Sequence, residues 1–199
     1  MNKLYVIGIG PGEYEQMTLK AIHAMEKSEV IIGYTVYVDL VKEHFPGKEF
    51  LTTPMKKEVD RCVMAFEEAK KGKVVSMICS GDAGVYGMSG LMYEVGVNYP
   101  EVELEIIPGV TAATGGAAVL GAPLIHDFCL ISLSDLLTPW EKIEARLLAA
   151  AEADFVVCLY NPSSRKRSDY LQKACDLMMQ YKSPETVCGT VCNLSLIHI

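Results

Sequence analysis

The chain has 199 residues, of which 50% are hydrophobic, so it can bury the core of one large domain or two small ones. Its formal net charge of −7 argues against a general nucleic-acid-binding protein, which needs a basic surface. No apolar run is long enough for a transmembrane helix, and the first run is broken by glycines too soon for a secretory signal. We therefore expect a cytoplasmic protein that binds neither nucleic acid nor a membrane.

Seven cysteines are spread along the chain, and none of them forms a C-x-x-C pair. Several, such as Cys79 and Cys158, lie inside apolar runs, where a thiol behaves as a small hydrophobic group. This pattern indicates a reduced protein without a protein-bound metal.

The first half of the chain alternates apolar runs typical of buried strands with amphipathic segments typical of helices. Thr18 can cap the first helix with its hydroxyl, and Gly72 can end the second. This alternation predicts an α/β fold with a largely parallel sheet that is covered on both faces. The predicted strands are 4–9, 30–34, 74–79 and 102–109, and the predicted helices are 18–29, 58–72 and 91–99.

The middle of the chain, residues 108–123, consists mostly of small residues and predicts a short, closely packed helix. We place a domain junction there, with an N-terminal α/β domain at 1–110 and a C-terminal α/β domain at 111–199. In the second domain, Thr138 has the sequence context of a helix cap, with Pro139 next and Glu141 three residues on. The predicted strands are 128–133, 155–160 and 186–191, and the predicted helices are 140–153 and 169–181.

The first glycine-rich turn, Gly8-x-Gly10-Pro11-Gly12, follows a buried strand. A nicotinamide-dinucleotide fingerprint needs G-x-G-x-x-G with a helix starting at the turn. Here the last glycine comes one residue early, and Pro11 lacks a backbone N–H. These departures disfavour a nicotinamide oxidoreductase. The turn either reverses the chain or lines a ligand site at the carboxyl ends of parallel strands.

Three later turns also follow predicted strands. In the second turn, Asp82 lies among small residues and can either accept from a ligand or bond its own backbone. In the third, Thr111 and Ala112 begin a predicted small-residue helix, whose first turn can offer N–H groups to a ligand. In the fourth, Asn161 can bond an adenine-type edge or simply form the turn before a proline.

The segments GIGPG, SGDAGVYGMSGL, IPGVTAAT and LGAPLIHDF through CLYNPSSRKR occur in this order. Together they resemble the tetrapyrrole methylases, a family of S-adenosylmethionine-dependent enzymes, and the resemblance covers residues 3–193. The segments GAPLIHDF and ADFVVCLYNP are most similar to members that methylate C17 of precorrin-3B.

The resemblance implies two α/β domains with the donor, S-adenosylmethionine, bound in the cleft between them. It implies a tetrapyrrole (precorrin) substrate, metal-free or cobalt-bound, that is methylated and contracted in cobalamin biosynthesis. It also implies a homodimer and no metal held by the protein. A sister methylase acting on another ring carbon remains an alternative.

Family positions carry over residue by residue. The first turn is implied to face the tetrapyrrole, which makes Gly10 and Gly12 candidate substrate contacts. The basic residues Arg165 and Arg167 are weaker candidates for the same role, since such charges are often only solvated. The implied donor contacts are Pro11, Ser80, Gly81, Asp82, Val85, Thr111, Ala112 and Asn161.

Methyl transfer from a sulfonium centre needs mainly alignment, whereas ring contraction needs proton movement and hence a general acid or base. The candidate catalytic residues are Tyr34, Asp82, His126 and Asp127. For His126 the alternative of a structural residue at the entry to a strand stays open.

Family members continue beyond the strand predicted at 186–191, and the final residues LSLIHI match no family segment. We therefore expect the natural enzyme to be longer and the C-terminal domain to be truncated. An inactive fragment is the corresponding alternative.

Overall fold

A computed structural model describes residues 2–162, 164 and 167–191 of the protein. The described residues divide into two compact units, 2–115 and 116–191. The division falls inside one helix, α5 (Ala112–Val119). The domain boundary at 110/111 stays a prediction.

The first unit is built on a five-stranded, wholly parallel sheet. Its strand order is β3-β2-β4-β1-β5. The parallel α/β class predicted from the alternating pattern is confirmed. In chain order the elements are β1 (Asn2–Gly8), a 3-10 turn (Tyr14–Gln16), α1 (Leu19–Lys27), β2 (Val30–Tyr34), α2 (Thr35–Val41), β3 (Glu49–Thr53), α3 (Glu58–Lys70), β4 (Val75–Cys79), α4 (Ser89–Gly96) and β5 (Val102–Ile107).

Helices cover both faces of this sheet, because its strands are apolar on both sides. Val6 and Ile7 of β1 are fully buried in opposite clusters. The first cluster includes side chains of α3 and α4, and the second includes those of α1 and α2. The predicted cap is confirmed, since the Thr18 hydroxyl accepts from the backbone N–H of Ala21 at 3.2 Å.

The second unit contains a two-stranded parallel sheet covered by two helices. Its elements are β6 (Phe128–Ser132), α6 (Trp140–Glu152), β7 (Val156–Tyr160) and α7 (Tyr170–Met178). Leu133, Ile143 and Leu147 are fully buried in its core. In the described part of the chain, no helix is long and apolar enough to cross a membrane.

Four features differ from expectation, two in each half of the chain. The strand predicted at 186–191 is wrong, since these residues have no regular structure and Val187 is 96% exposed. The cap predicted at Thr138 is also wrong, because α6 begins at Trp140 after Pro139 with no side-chain cap. Helix α2 and strand β3 were not predicted.

Candidate active site

Three turns leave the carboxyl ends of the neighbouring strands β4, β1 and β5, and their backbones are joined. The N–H of Gly10 donates to the carbonyl of Gly81 at 3.0 Å, and the N–H of Gly81 donates back at 2.9 Å. The N–H of Ile9 also donates to the carbonyl of Cys79 at 2.9 Å. Backbone hydrogen bonds therefore join the first two glycine-rich turns at the carboxyl ends of β1 and β4.

Asp82 links the second of these turns to the third. Its Oδ1 accepts from the backbone N–H groups of Gly84 and Val85 at 2.7 and 3.0 Å. Its Oδ2 accepts from the N–H of Gly109 at 3.0 Å. The expected bonds of Asp82 to its own backbone are present, together with one bond to the turn after β5. Its carboxylate holds the loops on which the donor contacts were placed.

Gly8 and Gly109 allow the turns to approach this closely. A Cβ on Gly8 would lie 2.5 Å from the carbonyl oxygen of Gly81 and 2.8 Å from the nitrogen of Gly109. A Cβ on Gly109 would collide with the carbonyl oxygens of Gly81 and Gly8. Both neighbours are backbone atoms that cannot swing away, so only glycine fits at these two positions.

The second turn also lies beside the start of α5. A Cβ built on Gly81 would come within 3.9 Å of Thr111 Cα and 4.0 Å of the Ala112 nitrogen. The structure therefore brings together Ser80, Gly81, Asp82, Thr111 and Ala112, all of which were predicted as donor contacts. Their side chains are small, so a ligand can approach the backbone here.

The first turn continues into a buried segment. Gly10, Pro11 and Gly12 are all buried. A Cβ on Gly12 would lie 2.8 Å from Leu40 Cδ1, so this end of the turn packs on α2. The contacts of Gly10 and Gly12 with substrate, and of Pro11 with the donor, stay predictions.

A cavity of about 160 Å³ lies at the carboxyl ends of β2 and β4. It contains two residues predicted for function, Tyr34 and Ser80, together with Tyr37 and Arg61. The rings of Tyr34 and Tyr37 meet edge to face with centroids 5.3 Å apart. Burial raises the pKa of Tyr37 to about 12, so its hydroxyl stays protonated at neutral pH and can donate a hydrogen bond.

Arg61 was missed in the sequence analysis. It lies on α3 and is only 4% exposed. The signal was the row that Arg61 forms with Ala65 and Ala69 at four-residue spacing, because residues four apart share a helix face. Two buried alanines in that row place an arginine on the packed face of the helix.

In the second unit, Asn161 follows β7 with a left-handed backbone, at φ 53°. Its side-chain N–H donates to the hydroxyl of Ser132 at the end of β6, at 3.0 Å. Arg167 donates to the hydroxyl of Ser134 at 2.7 Å and lies 3.3 Å from Asp135. Asn161 and Arg167 are thus held by neighbours at the carboxyl end of this sheet. Arg165 lies outside the described residues.

Asp135 is the acidic partner of Arg167. The hydroxyl of Tyr170, at 2.7 Å, and then the guanidinium of Arg167 hold the pKa of Asp135 below its ordinary value. The guanidinium of Arg167 is therefore already neutralised in part, which weakens its case as a substrate contact.

His126 and Asp127 are exposed and precede β6. Asn161 lies past the opposite end of this parallel pair, and a five-residue strand spans about 16 Å. The structure therefore does not bring these two candidate catalytic residues to the Asn161 end of the sheet. Their role in catalysis stays a prediction.

The fold has counterparts among the methyltransferases that act on tetrapyrroles. A family model described as Tetrapyrrole (Corrin/Porphyrin) Methylases matches residues 3–196. The chain belongs to this family, whose members use S-adenosylmethionine as methyl donor.

Two curated relatives are similar to this chain over most of its length. A probable cobalt-factor III C(17)-methyltransferase from Salmonella typhimurium is 51% identical over 94% of this chain and 78% of its own length. A precorrin-3B C(17)-methyltransferase from Sinorhizobium sp is 42% identical over 88% of this chain and 70% of its own length. Of three further relatives the chain spans only 36%, 43% and 52%.

A solved structure shares the architecture. The crystal structure of the methyltransferase CobJ matches with a TM-score of 0.82 and 36% identity, over 91% of this chain and 77% of that one. The resemblance stated from the motifs and the expected fold are confirmed.

Proposed function

We propose that this protein is an S-adenosylmethionine-dependent methyltransferase that acts at C17 of cobalt-factor III, or of metal-free precorrin-3B, and contracts the ring in cobalamin biosynthesis. The observation that carries the proposal is the meeting of Gly81, Thr111 and Ala112 at one edge of the parallel sheet. The names of the relatives support the substrate, although the chain spans only part of each relative.

The proposed donor site fits a ligand that lies against backbone. S-adenosylmethionine, when bound, supplies a methyl group already activated on a sulfonium centre. The protein's own task is to hold the attacking carbon in line, about 3 to 3.5 Å from that methyl. Gly81 and Ala112 have little or no side chain, so a ligand can reach the backbone at this turn. Asn161, held by Ser132, is the proposed contact of the adenine ring.

Ring contraction requires a residue that moves a proton, and Tyr34 is the candidate that the cavity favours. Its ring lines the cavity next to Ser80, and Tyr37 supplies a second hydroxyl. Asp82 already accepts three backbone N–H groups, so its proposed role is to hold the turns. His126 and Asp127 are exposed at the other end of their strand.

The test is a transfer assay with methyl-labelled S-adenosylmethionine and either cobalt-factor III or precorrin-3B, with the label located by NMR. Label at C17 of a contracted ring is expected, and the preferred substrate identifies the metal state. Label at another ring carbon would indicate a sister methylase. No transfer by a chain that unfolds cooperatively would contradict the proposal. The variant Asp82→Ala should lose transfer, whereas Asp39→Ala, an exposed change, should keep it.

A further inference from the structure

Arg61 is a buried cation on α3, with only 4% of its surface exposed. Its Nε donates to the hydroxyl of Thr53 at 2.8 Å, and its Nη2 lies 3.4 Å from the carbonyl of Pro54. Within the described ranges, no carboxylate oxygen lies at ion-pair distance from the Arg61 guanidinium. Buried charges in proteins are normally paired, so this guanidinium has unused capacity for an anion.

Arg61 lines the cavity at the ends of β2 and β4, and its guanidinium lies over the Tyr34 ring, 5.9 Å from the ring centroid. Tyr34, Tyr37 and Ser80 contribute three hydroxyls to the same cavity. Glu58 also lines it, but Oε1 of Glu58 accepts from the Lys56 N–H at 3.2 Å. The cavity, at about 160 Å³, has room for a carboxylate with its adjoining carbons but not for a macrocycle.

Several other cations of this unit are already paired with carboxylates. Lys3 pairs with Glu103 and Glu105, and Lys73 pairs with Glu49 and Glu68. In a protein of net charge −7, an anionic substrate therefore finds few free positive groups, and a buried one is the strongest.

We propose that this cavity binds one carboxylate side chain of the tetrapyrrole, with Arg61 as its counter-ion and the hydroxyl of Tyr37 as a further donor. The inference rests on the proposed function and names which group of the substrate this part of the site recognises. Met55 and Tyr86 line the same cavity and are 59% and 53% exposed. Exposed apolar side chains beside a buried cation suit a macrocycle that carries a carboxylate. The carboxylate of the methyl donor is the other source of this chemistry, and the test separates the two.

The test compares the wild-type chain with Arg61→Met, Arg61→Lys and the exposed control Lys42→Met. Each is titrated with cobalt-factor III, followed by its visible absorbance, and with S-adenosylhomocysteine by calorimetry. A circular-dichroism melt checks that each folds. We expect Arg61→Met to bind the tetrapyrrole on the order of 10- to 100-fold more weakly, with unchanged affinity for S-adenosylhomocysteine. The tetrapyrrole affinity of Arg61→Lys should lie between those of the wild type and Arg61→Met, since lysine keeps the charge but not the bidentate geometry.

Equal tetrapyrrole affinity of wild type and a folded Arg61→Met would overturn the inference and leave the proposed function standing. Loss of S-adenosylhomocysteine binding instead would assign the cavity to the donor and would also overturn it. A wild-type chain that binds S-adenosylhomocysteine but no tetrapyrrole would contradict the proposed function itself. Tyr37→Phe, which removes one cavity hydroxyl, gives a second test with an expected loss of about 2- to 10-fold.

Discussion

The carboxylate of Asp82 accepts a hydrogen bond from the backbone N–H of Gly109 at 3.0 Å, across 27 positions of sequence. The bond ties the turn after β4 to the turn after β5. In Asp82→Asn the one remaining oxygen is kept at the Oδ1 position by the N–H groups of Gly84 and Val85, so the NH2 group replaces Oδ2. An NH2 group cannot accept from the Gly109 N–H. We expect the unfolding free energy to fall by about 1 to 3 kcal/mol, because the Gly109 N–H loses its partner, and donor binding to weaken with it.

A urea titration and a calorimetric titration with S-adenosylhomocysteine measure the two effects. Asp39→Asn, which changes an exposed residue paired with Lys42, is the control. If Asp82→Asn kept full stability and full donor affinity but lost activity, the residue would act in chemistry and the structural role would be wrong.

Gly8 can be tested with a single methyl group. In Gly8→Ala the new Cβ meets three backbone atoms at 2.5 to 2.9 Å, so the joined turns must separate. We expect a loss of more than about 2 kcal/mol in stability and loss of S-adenosylhomocysteine binding. The matched control is Gly90→Ala, because a Cβ on Gly90 meets nothing within 4 Å and alanine favours the helix. A thermal melt in which both variants resemble wild type would refute the packing account.

Two threonines give opposite expectations for helix capping. Thr18 accepts from the Ala21 N–H and also donates to the carbonyl of Pro108 at 3.3 Å, so Thr18→Ala should cost about 1 kcal/mol. Thr138 does not cap α6, so Thr138→Ala should be nearly neutral. Urea unfolding of both variants measures the difference. An equal loss in the two would show that Thr138 caps after all.

The ion pairs of Glu105 make the free energy of unfolding depend on pH. Hydrogen bonds from Lys20 and then Lys3 lower the pKa of Glu105 from 4.5 to about 2. The contribution is therefore complete above the unfolded value near 4.5 and disappears as the pH falls towards 2. Because the group is partly exposed, Glu105→Gln should lose less than about 1 kcal/mol at pH 7.

The measurement is the urea midpoint of wild type and Glu105→Gln between pH 7 and pH 2. The gap between them should close over the acid range. Glu26→Gln, on the exposed face of α1, should show no gap at any pH. A gap for Glu105→Gln that stayed constant down to pH 2 would contradict the lowered pKa.

Much of the fold could be predicted from local pattern. The run at 30–34 is mostly apolar and forms a buried interior strand, and Thr18 caps a helix as its position indicated. The run at 186–191 has the same β-branched composition but no partner strand among the described residues, and strand formation depends on pairing. Helix α2 is short and rich in β-branched residues, so its conformation follows from packing rather than propensity.

The residues of the candidate site also divide into those that the sequence predicts and those that it does not. Gly81, Thr111 and Ala112 could be found because their motifs are contiguous and resemble a family. Arg61 was harder to find, because its row with Ala65 and Ala69 is the one local sign of burial. Its partner Thr53 lies in β3, an edge strand with no clear sequence signal. Cavities depend on contacts between distant segments, which local patterns do not contain.

The most direct test of the account is calorimetric titration of the wild-type chain with S-adenosylhomocysteine, with a circular-dichroism melt on the same sample. The account predicts a cooperative melt and saturable binding in the micromolar range. Binding should be absent in Gly8→Ala and retained in Gly90→Ala. A chain that melts cooperatively but gives no heat of binding would contradict the assignment of the joined turns as the donor site.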